Sequence, residues 1–183
     1  MYKKPAESFW EYSAPRVDSS YINIGETFYD LVRETQPELI IEFGVLNGFS
    51  TLAMAYALKK NGHGRIIAYD LWDKYKYKHS SMAQTQKTLE NEGVADIVEL
   101  REGDFYKWEG ESCDILHLDI SNTGETIKAL AEKTQAKLTI FEGGAKYRDE
   151  VEWMVKYNKP KITECGIPYE VIDASFPSLS KLI

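Results

Sequence analysis

The stretch from Leu39 to Leu58, LIIEFGVLNGFSTLAMAYAL, opens as an apolar run, turns through Gly44 and Gly48, and continues with apolar residues at helical spacing. The part before the turn, ELIIEF, is short, β-branched and closed by Gly44, which predicts a buried strand. Beyond the turn, Ser50 is positioned to cap a helix carrying Leu52, Ala53, Ala55, Tyr56 and Leu58, and NGHG ends it. In an open parallel sheet such a strand, turn and helix place the turn where ligands bind, at the carboxyl end of the strand.

The same alternation runs outward in both directions. Ile24, Phe28, Leu31 and Val32 make a helical stripe that Pro37 terminates. After the central helix come RIIAYD as a strand, a polar insertion, a helix over Ser81 to Glu92 stopped by Gly93, and DIVELRE as a third strand. CDILHLDI is the fourth strand, Asn122 to Lys133 a helix, AKLTIFE the fifth strand and Tyr147 to Tyr157 a further helix. The tail YEVIDASFPSLSKLI splits at Pro177 into two strand-like runs with no helix between them, so these must pair antiparallel. Strands alternating with helices imply an α/β fold, a mainly parallel sheet with helices on both faces.

With 183 residues, 43% of them hydrophobic, and no linker or repeat, residues 1–183 read as a single domain in which 1–23 form an N-terminal arm or lid rich in aromatics. Tyr2, Phe9, Trp10, Tyr12 and Tyr21 either cover a site or meet a second subunit in a homodimer. A net charge of -7 argues against nucleic acid as a partner. Cys113 and Cys165 have no metal spacing and fit a reducing, cytoplasmic setting. Neither a signal-like apolar run nor a stretch long enough to span a membrane is present, so a soluble protein is expected.

The turn discriminates between ligands. A dinucleotide fingerprint GxGxxG requires a second glycine at 46, where this chain has Leu46. Glu42, two residues before Gly44, suits a cationic or amino-bearing ligand and would repel a pyrophosphate. The helix N-terminus beyond Gly48 suits a negative group such as a carboxylate. Asp70 ends the second strand where ribose hydroxyls would lie, and Asp104 with Phe105 follows the third, offering a contact for an amino group and a face for a purine.

With those residues in place, the chain resembles the class I S-adenosylmethionine-dependent methyltransferases, and in particular the small-molecule O-methyltransferases of the catechol type and their bacterial relatives. EFGVLNGFS, from Glu42 to Ser50, follows their first motif, and the resemblance runs from about Ile24 to Ile183. It implies a Rossmann-like seven-stranded sheet of order 3-2-1-4-5-7-6 with the last strand antiparallel. It also implies S-adenosylmethionine as cofactor and O-methylation of a small-molecule or sugar hydroxyl as the reaction. By the same likeness Glu42, Gly44, Gly48 and Ser50 surround the methionine part of the cofactor, Asp70 accepts the ribose hydroxyls, and Asp104 and Phe105 border the adenine. Asp119, in LHLDIS, stands beside the transferred methyl as base or metal ligand, and Glu142, in TIFEGG, is a second acidic ligand for Mg²⁺ or another divalent cation.

The chain departs from the catechol pattern where that pattern has an Asn after the fifth-strand acid and a Lys three residues after the fourth-strand acid. Gly143 and Asn122 occupy these places, and the acid lacks the following His of many bacterial relatives. Asp119 has a second reading as a helix cap, and Glu142 as part of a solvated turn. The segment from Trp72 to His79 reads as an aromatic and basic wall over the cofactor or as a solvated loop. Lys146 and Arg148 lie at the ligand end of the sheet, and Arg148 either holds an acidic substrate or, by preference, pairs with Asp149 or Glu152 on its own helix. His117 shares a strand face with Asp119 but has no direct route to a substrate. Two other functions remain: a nicotinamide-dependent oxidoreductase on a similar sheet, and a non-catalytic homologue that binds the cofactor without turnover.

Overall fold

Strand β1 (Leu39–Phe43) forms because Leu39, Ile40, Ile41 and Phe43 make an apolar run too short for a helix, and it is buried on both faces. It lies parallel to β2 (Arg65–Asp70) on one side and to β4 (Cys113–Leu118) on the other. Parallel pairing continues to β3 (Val98–Glu102) beyond β2 and to β5 (Ala136–Glu142) beyond β4. The chain then runs to the outer edge as β6 (Tyr169–Asp173) and returns as β7 (Leu179–Leu182), antiparallel to both β5 and β6. The seven strands thus take the order β3-β2-β1-β4-β5-β7-β6. At the edge, the β6 pairing carries a register shift between Val171 and Asp173. This computed structural model describes residues 1–4, 19–75, 80–175 and 177–183, with the backbone alone at 19–23. The expectations placed on Phe9, Trp10, Tyr12, the side chain of Tyr21 and residues 76–79 lie outside the described residues.

The two-residue period of the strands sends alternate side chains to opposite layers. Ile40, Ile66, Ala68, Ile115 and Ile140 face a core built with α1 (Ser19–Thr35), α2 (Phe49–Asn61) and α3 (Met82–Asn91). Ile41, Phe43, Ile67, Leu116, Leu118 and Phe141 face the other core, with α4 (Gly124–Lys133), the short turn of Phe105–Lys107, Ile162 and Cys165. Helix α2 is buried throughout from Ser50 to Leu58, because Ala53, Ala55 and Ala57 let it approach its neighbours closely. Each fully buried Leu, Ile or Phe contributes about 1.5–3 kcal/mol, so α2 is a main source of cohesion. Gly62, at φ +83°, ends it, its N–H bonding to Leu58 O at 2.9 Å.

Several boundaries differ from the sequence reading. Helix α1 starts at Ser19 rather than near Ile24, inside the segment expected to be an arm. Tyr2 packs edge-on against Tyr29 and Tyr56, which anchors the first residues on α1 and α2. The helix expected over Tyr147 to Tyr157 is broken into a 3₁₀ turn (Lys146–Glu150) and a short α5 (Glu152–Lys156). Asp149 causes the break by turning inward, where it accepts from Ile162 N at 2.8 Å and from Thr163 N at 3.0 Å and Oγ1 at 2.6 Å. Extended Val151 then separates the two pieces.

Past the last rungs of β1 and β4, Asp119 N donates to Phe43 O at 2.8 Å and Gly44 N to Tyr69 O at 2.9 Å. A Cβ on Gly44 would lie 1.7 Å from the Asp119 carbonyl oxygen, and its φ is +90°. Gly44→Ala is therefore expected to cost upward of about 3 kcal/mol, a value reached only by clashing or strained sites. Urea denaturation should show the loss, and a variant within about 0.5 kcal/mol of wild type would contradict the close approach.

Candidate functional site

The turn from Gly44 to Gly48 is held from two sides. Asp70 Oδ2 accepts from Val45 N and Leu46 N, each at 2.8 Å, and Asp70 Oδ1 from Trp72 N at 2.9 Å. Thr85 on α3 donates to Leu46 O at 2.9 Å. Leu46 itself takes φ +49°, a left-handed conformation that a side chain makes costly and that these bonds enforce. The carboxylate expected to meet ribose hydroxyls therefore also organises the turn, with lone-pair capacity remaining on Oδ1.

Ser50 does not cap α2. The N-cap is Gly48, at φ +81° and with no side-chain capping bond, and Ser50 lies within the first turn of the helix. Its hydroxyl donates instead to Glu42 Oε1 at 2.5 Å, while Thr51 Oγ1 donates to Oε2 at 2.5 Å. Glu42 is wholly buried and meets His117 Nδ1 at 3.0 Å. It stands behind the turn on β1, so it fixes the first turn of α2 rather than presenting a free carboxylate.

Asp104 caps the Phe105–Lys107 turn, accepting from Tyr106 N at 3.0 Å. Lys133 supports this turn from α4 by donating to the carbonyls of Phe105, Tyr106 and Trp108 at 3.1, 2.9 and 2.7 Å. Phe105 is only 2% exposed and packs edge-on against Phe43, so the face expected to border a purine is enclosed here. Trp72, expected as a wall, is 4% exposed, and its indole N–H donates to Arg101 O at 3.0 Å. From the same segment the Tyr75 hydroxyl reaches to 2.8 Å from Ser121 Oγ, just past the end of β4.

Asp119 and Glu142 stand side by side, because β4 and β5 pair Leu118 with Phe141, the residue immediately before each acid. The carboxyls are hydrogen-bonded to each other, and the charge of Arg148 reaches both. Burial raises Asp119 above the usual carboxylate range against the pull of Arg148 and the Glu142 hydrogen bond. Burial, and then the neighbouring Asp119 charge, hold Glu142 well above that range. Such a pair retains one proton, with Glu142 as donor and Asp119 as acceptor. Of the two partners that the sequence reading gave Arg148, Asp149 and Glu152, Asp149 accepts bonds from Ile162 and Thr163. Lys146 is exposed at the start of the 3₁₀ turn that follows β5.

Asn122, where the catechol pattern has Lys, donates to Leu118 O at 3.0 Å and Glu142 O at 2.7 Å and so ties the ends of β4 and β5 together. Gly143, where that pattern has Asn, takes φ +126°, which a side chain rarely adopts. Two hard carboxylates fit a divalent cation whose remaining positions are filled by water or substrate oxygens. Among the described residues no group of three His, Cys, Asp or Glu side chains could hold a metal.

A family model described as a methyltransferase domain matches residues 41–145. The chain belongs to that family. Among curated relatives of this methyltransferase-domain protein, a catechol O-methyltransferase of Niastella koreensis is 37% identical over 81 residues, 44% of this chain and 33% of that protein. The matched part thus spans about a third of the relative's length. Among solved structures, the O-methyltransferase TomG of Streptomyces achromogenes, involved in tomaymycin synthesis and in complex with SAM, superposes with a TM-score of 0.63 at 17% identity, covering 98% of this chain and 91% of that one. An O-methyltransferase of Bacillus cereus in complex with SAH gives 0.63 at 16% identity, covering 98% and 92%. These likenesses show that the methyltransferase domain has the fold implied by its motifs.

Sequence reasoning missed the bonds from Glu42 to Ser50, Thr51 and His117, and the bridge made by Asn122. The two-residue register that aligns Glu42 with His117 was a usable signal. The carboxyl pair has a consequence for stability. Glu142 has a folded-state pKa above its ordinary 4.5, so between those values the folded protein holds a proton that the unfolded chain has lost. Its contribution is full below about 4.5 and is lost as pH rises through the folded value. The stability of wild type minus that of Glu142→Gln should therefore fall with rising pH over this window, by up to about 1.4 kcal/mol per pH unit. Chemical denaturation at a series of pH values measures the difference, and a flat line would contradict the shared proton.

Proposed function

We propose that the protein is an S-adenosylmethionine-dependent methyltransferase that methylates a hydroxyl of a small molecule or sugar. The observation that carries the reading is the hydrogen-bonded pair of Asp119 and Glu142 at the ends of β4 and β5, with Asp119 directly against the Gly44 turn. Bound at that turn, S-adenosylmethionine would supply the methyl group, a C–O bond forming to the acceptor as the C–S bond breaks and its electron pair stays on sulfur. Glu42, Gly44, Gly48 and Ser50 shape the seat for the methionine part, Asp70 meets the ribose, and Asp104, with Phe105 after a movement from its enclosed position, borders the adenine.

Asp119 takes the hydroxyl proton, and its raised pKa brings it nearer that task than an exposed aspartate. Glu142, protonated, holds the Asp119 carboxylate in place by its hydrogen bond. Orientation of the acceptor does much of the remaining work. Asp119 and Glu142 are also the residues that would hold Mg²⁺ or another divalent cation, which would polarise the acceptor oxygen. Lys146, Arg148 and, after a movement from its buried position, Trp72 line the approach for a small acceptor, together with the N-terminal arm or a second subunit of a homodimer.

Free, buried Cys113 and Cys165 support a reducing, cytoplasmic setting. No helix among the described residues is long and apolar enough to cross a membrane. A nicotinamide cofactor is disfavoured by the side chain of Leu46, which stands where its pyrophosphate needs a glycine. Asn122 in place of a lysine base favours, as the second reading, a homologue that binds the cofactor without turnover, since both of its donor contacts are spent on backbone carbonyls.

Calorimetric titration with S-adenosylmethionine, S-adenosylhomocysteine and NAD, each with and without Mg²⁺, should show binding of the two adenosyl ligands alone. NAD binding, or no adenosyl binding, would overturn the assignment. Asp119→Asn should keep cofactor affinity and lower turnover by about 100-fold or more, the scale of a lost general base. Wild-type protein that binds the cofactor but turns over no hydroxyl acceptor in a broad panel would favour the second reading.

A further inference from the structure

His117 is a wholly buried titratable residue that the proposed chemistry does not use. It lies on β4 in register with Glu42 on β1, and its ring packs edge-on against Phe28 of α1, with centroids 4.7 Å apart at 68°. Nδ1 is 3.0 Å from Glu42 Oε1, the oxygen that also accepts from Ser50 Oγ at 2.5 Å. Nε2 is buried with no hydrogen-bond partner among the described residues.

These contacts assign the tautomer. Glu42 accepts from two hydroxyls, and a carboxylate can accept a third bond at Oε1, so Nδ1 carries the hydrogen and donates it. Nε2 is then a bare lone pair, a less unusual state for a buried group than an unpaired N–H. The carboxylate consequently has three donors, one from β4 and two from the first turn of α2. That turn cannot shift on β1 without breaking a bond to a buried charge.

We propose that His117 is a positioning residue for the cofactor seat: its Nδ1–H fixes Glu42, and Glu42 holds Ser50 and Thr51 and with them the first turn of α2. The proposal rests on the reading of the glycine turn as an adenosyl-ligand site. It gives His117 a route to the ligand that passes through Glu42, with no contact of its own.

The test separates positioning from ring packing. His117→Leu removes both the donor and the ring, whereas His117→Asn removes the ring but returns an amide N–H near the Nδ1 position. Both variants should lower Tm, because both lose the contact with Phe28. Binding of S-adenosylhomocysteine, measured by calorimetry, should weaken about tenfold in His117→Leu, the scale of a hydrogen bond to a charged group. His117→Asn should recover most of that affinity while its Tm stays low. If His117→Leu does not fold, His117→Gln, whose amide lies beyond the Nδ1 position, makes the same comparison with His117→Asn. Variants that bind as tightly as wild type, or that lose affinity equally and in step with Tm, overturn the proposal. Wild-type protein that binds neither adenosyl ligand overturns the functional reading itself, and that result appears before any variant is made.

Discussion

The contact on which the molecule is organised is the one between the Asp119 carbonyl and the Cα of Gly44. A Cβ there would sit 1.7 Å from the carbonyl oxygen, so the two strands can stay adjacent only because residue 44 has no side chain. A glycine at a ligand turn is usually explained by the ligand's need for space. Here the sheet itself requires it, and the ligand end inherits the geometry. Separation of β1 from β4 at this level would move Asp119 away from the turn and, through β5, Glu142 with it.

Around that contact the fold gathers more acids than it can leave charged and unsupported, and it treats each differently. Glu42 is buried behind the turn and receives three donors. Asp70 receives three backbone N–H groups and shapes the turn by doing so. Asp119 and Glu142 share a proton under the field of Arg148. Buried acids carry little cost when hydrogen-bonded in this way and a large one when not. The arrangement leaves the Asp119 and Glu142 pair poised to gain or lose a proton in front of the turn.

Much of this was legible in the sequence, for identifiable reasons. The spans of β1, β2 and β5 agree with runs such as LIIEF, RIIAYD and AKLTIFE, because β-branched stretches closed by glycine or polar residues leave few alternatives. The order of the strands came from the resemblance and is the order observed. What escaped depends on partners distant in the chain. Ser50 looked like a cap, but a buried carboxylate from β1 competes for its hydroxyl. The helix over Tyr147 to Tyr157 failed because Asp149 bonds to Ile162 and Thr163, which no local pattern reveals. Trp72, in a polar stretch, looked exposed, yet a backbone carbonyl of β3 and a core face take it in.

The register shift in β6 bears on how the molecule behaves among its own copies. An open sheet offers two unpaired edges, and each is a template on which another chain can add a strand. At one edge, β3 carries Glu99 and Arg101 in an ion pair of 2.7 Å, with Lys74 reaching Glu102 at 2.6 Å. At the other, Glu170 pairs with Lys181 at 2.9 Å, and the shift between Val171 and Asp173 takes the backbone out of regular register. An incoming strand meets fixed charge at the first edge and an irregular ladder at the second, so both ends of the sheet resist edge-to-edge aggregation.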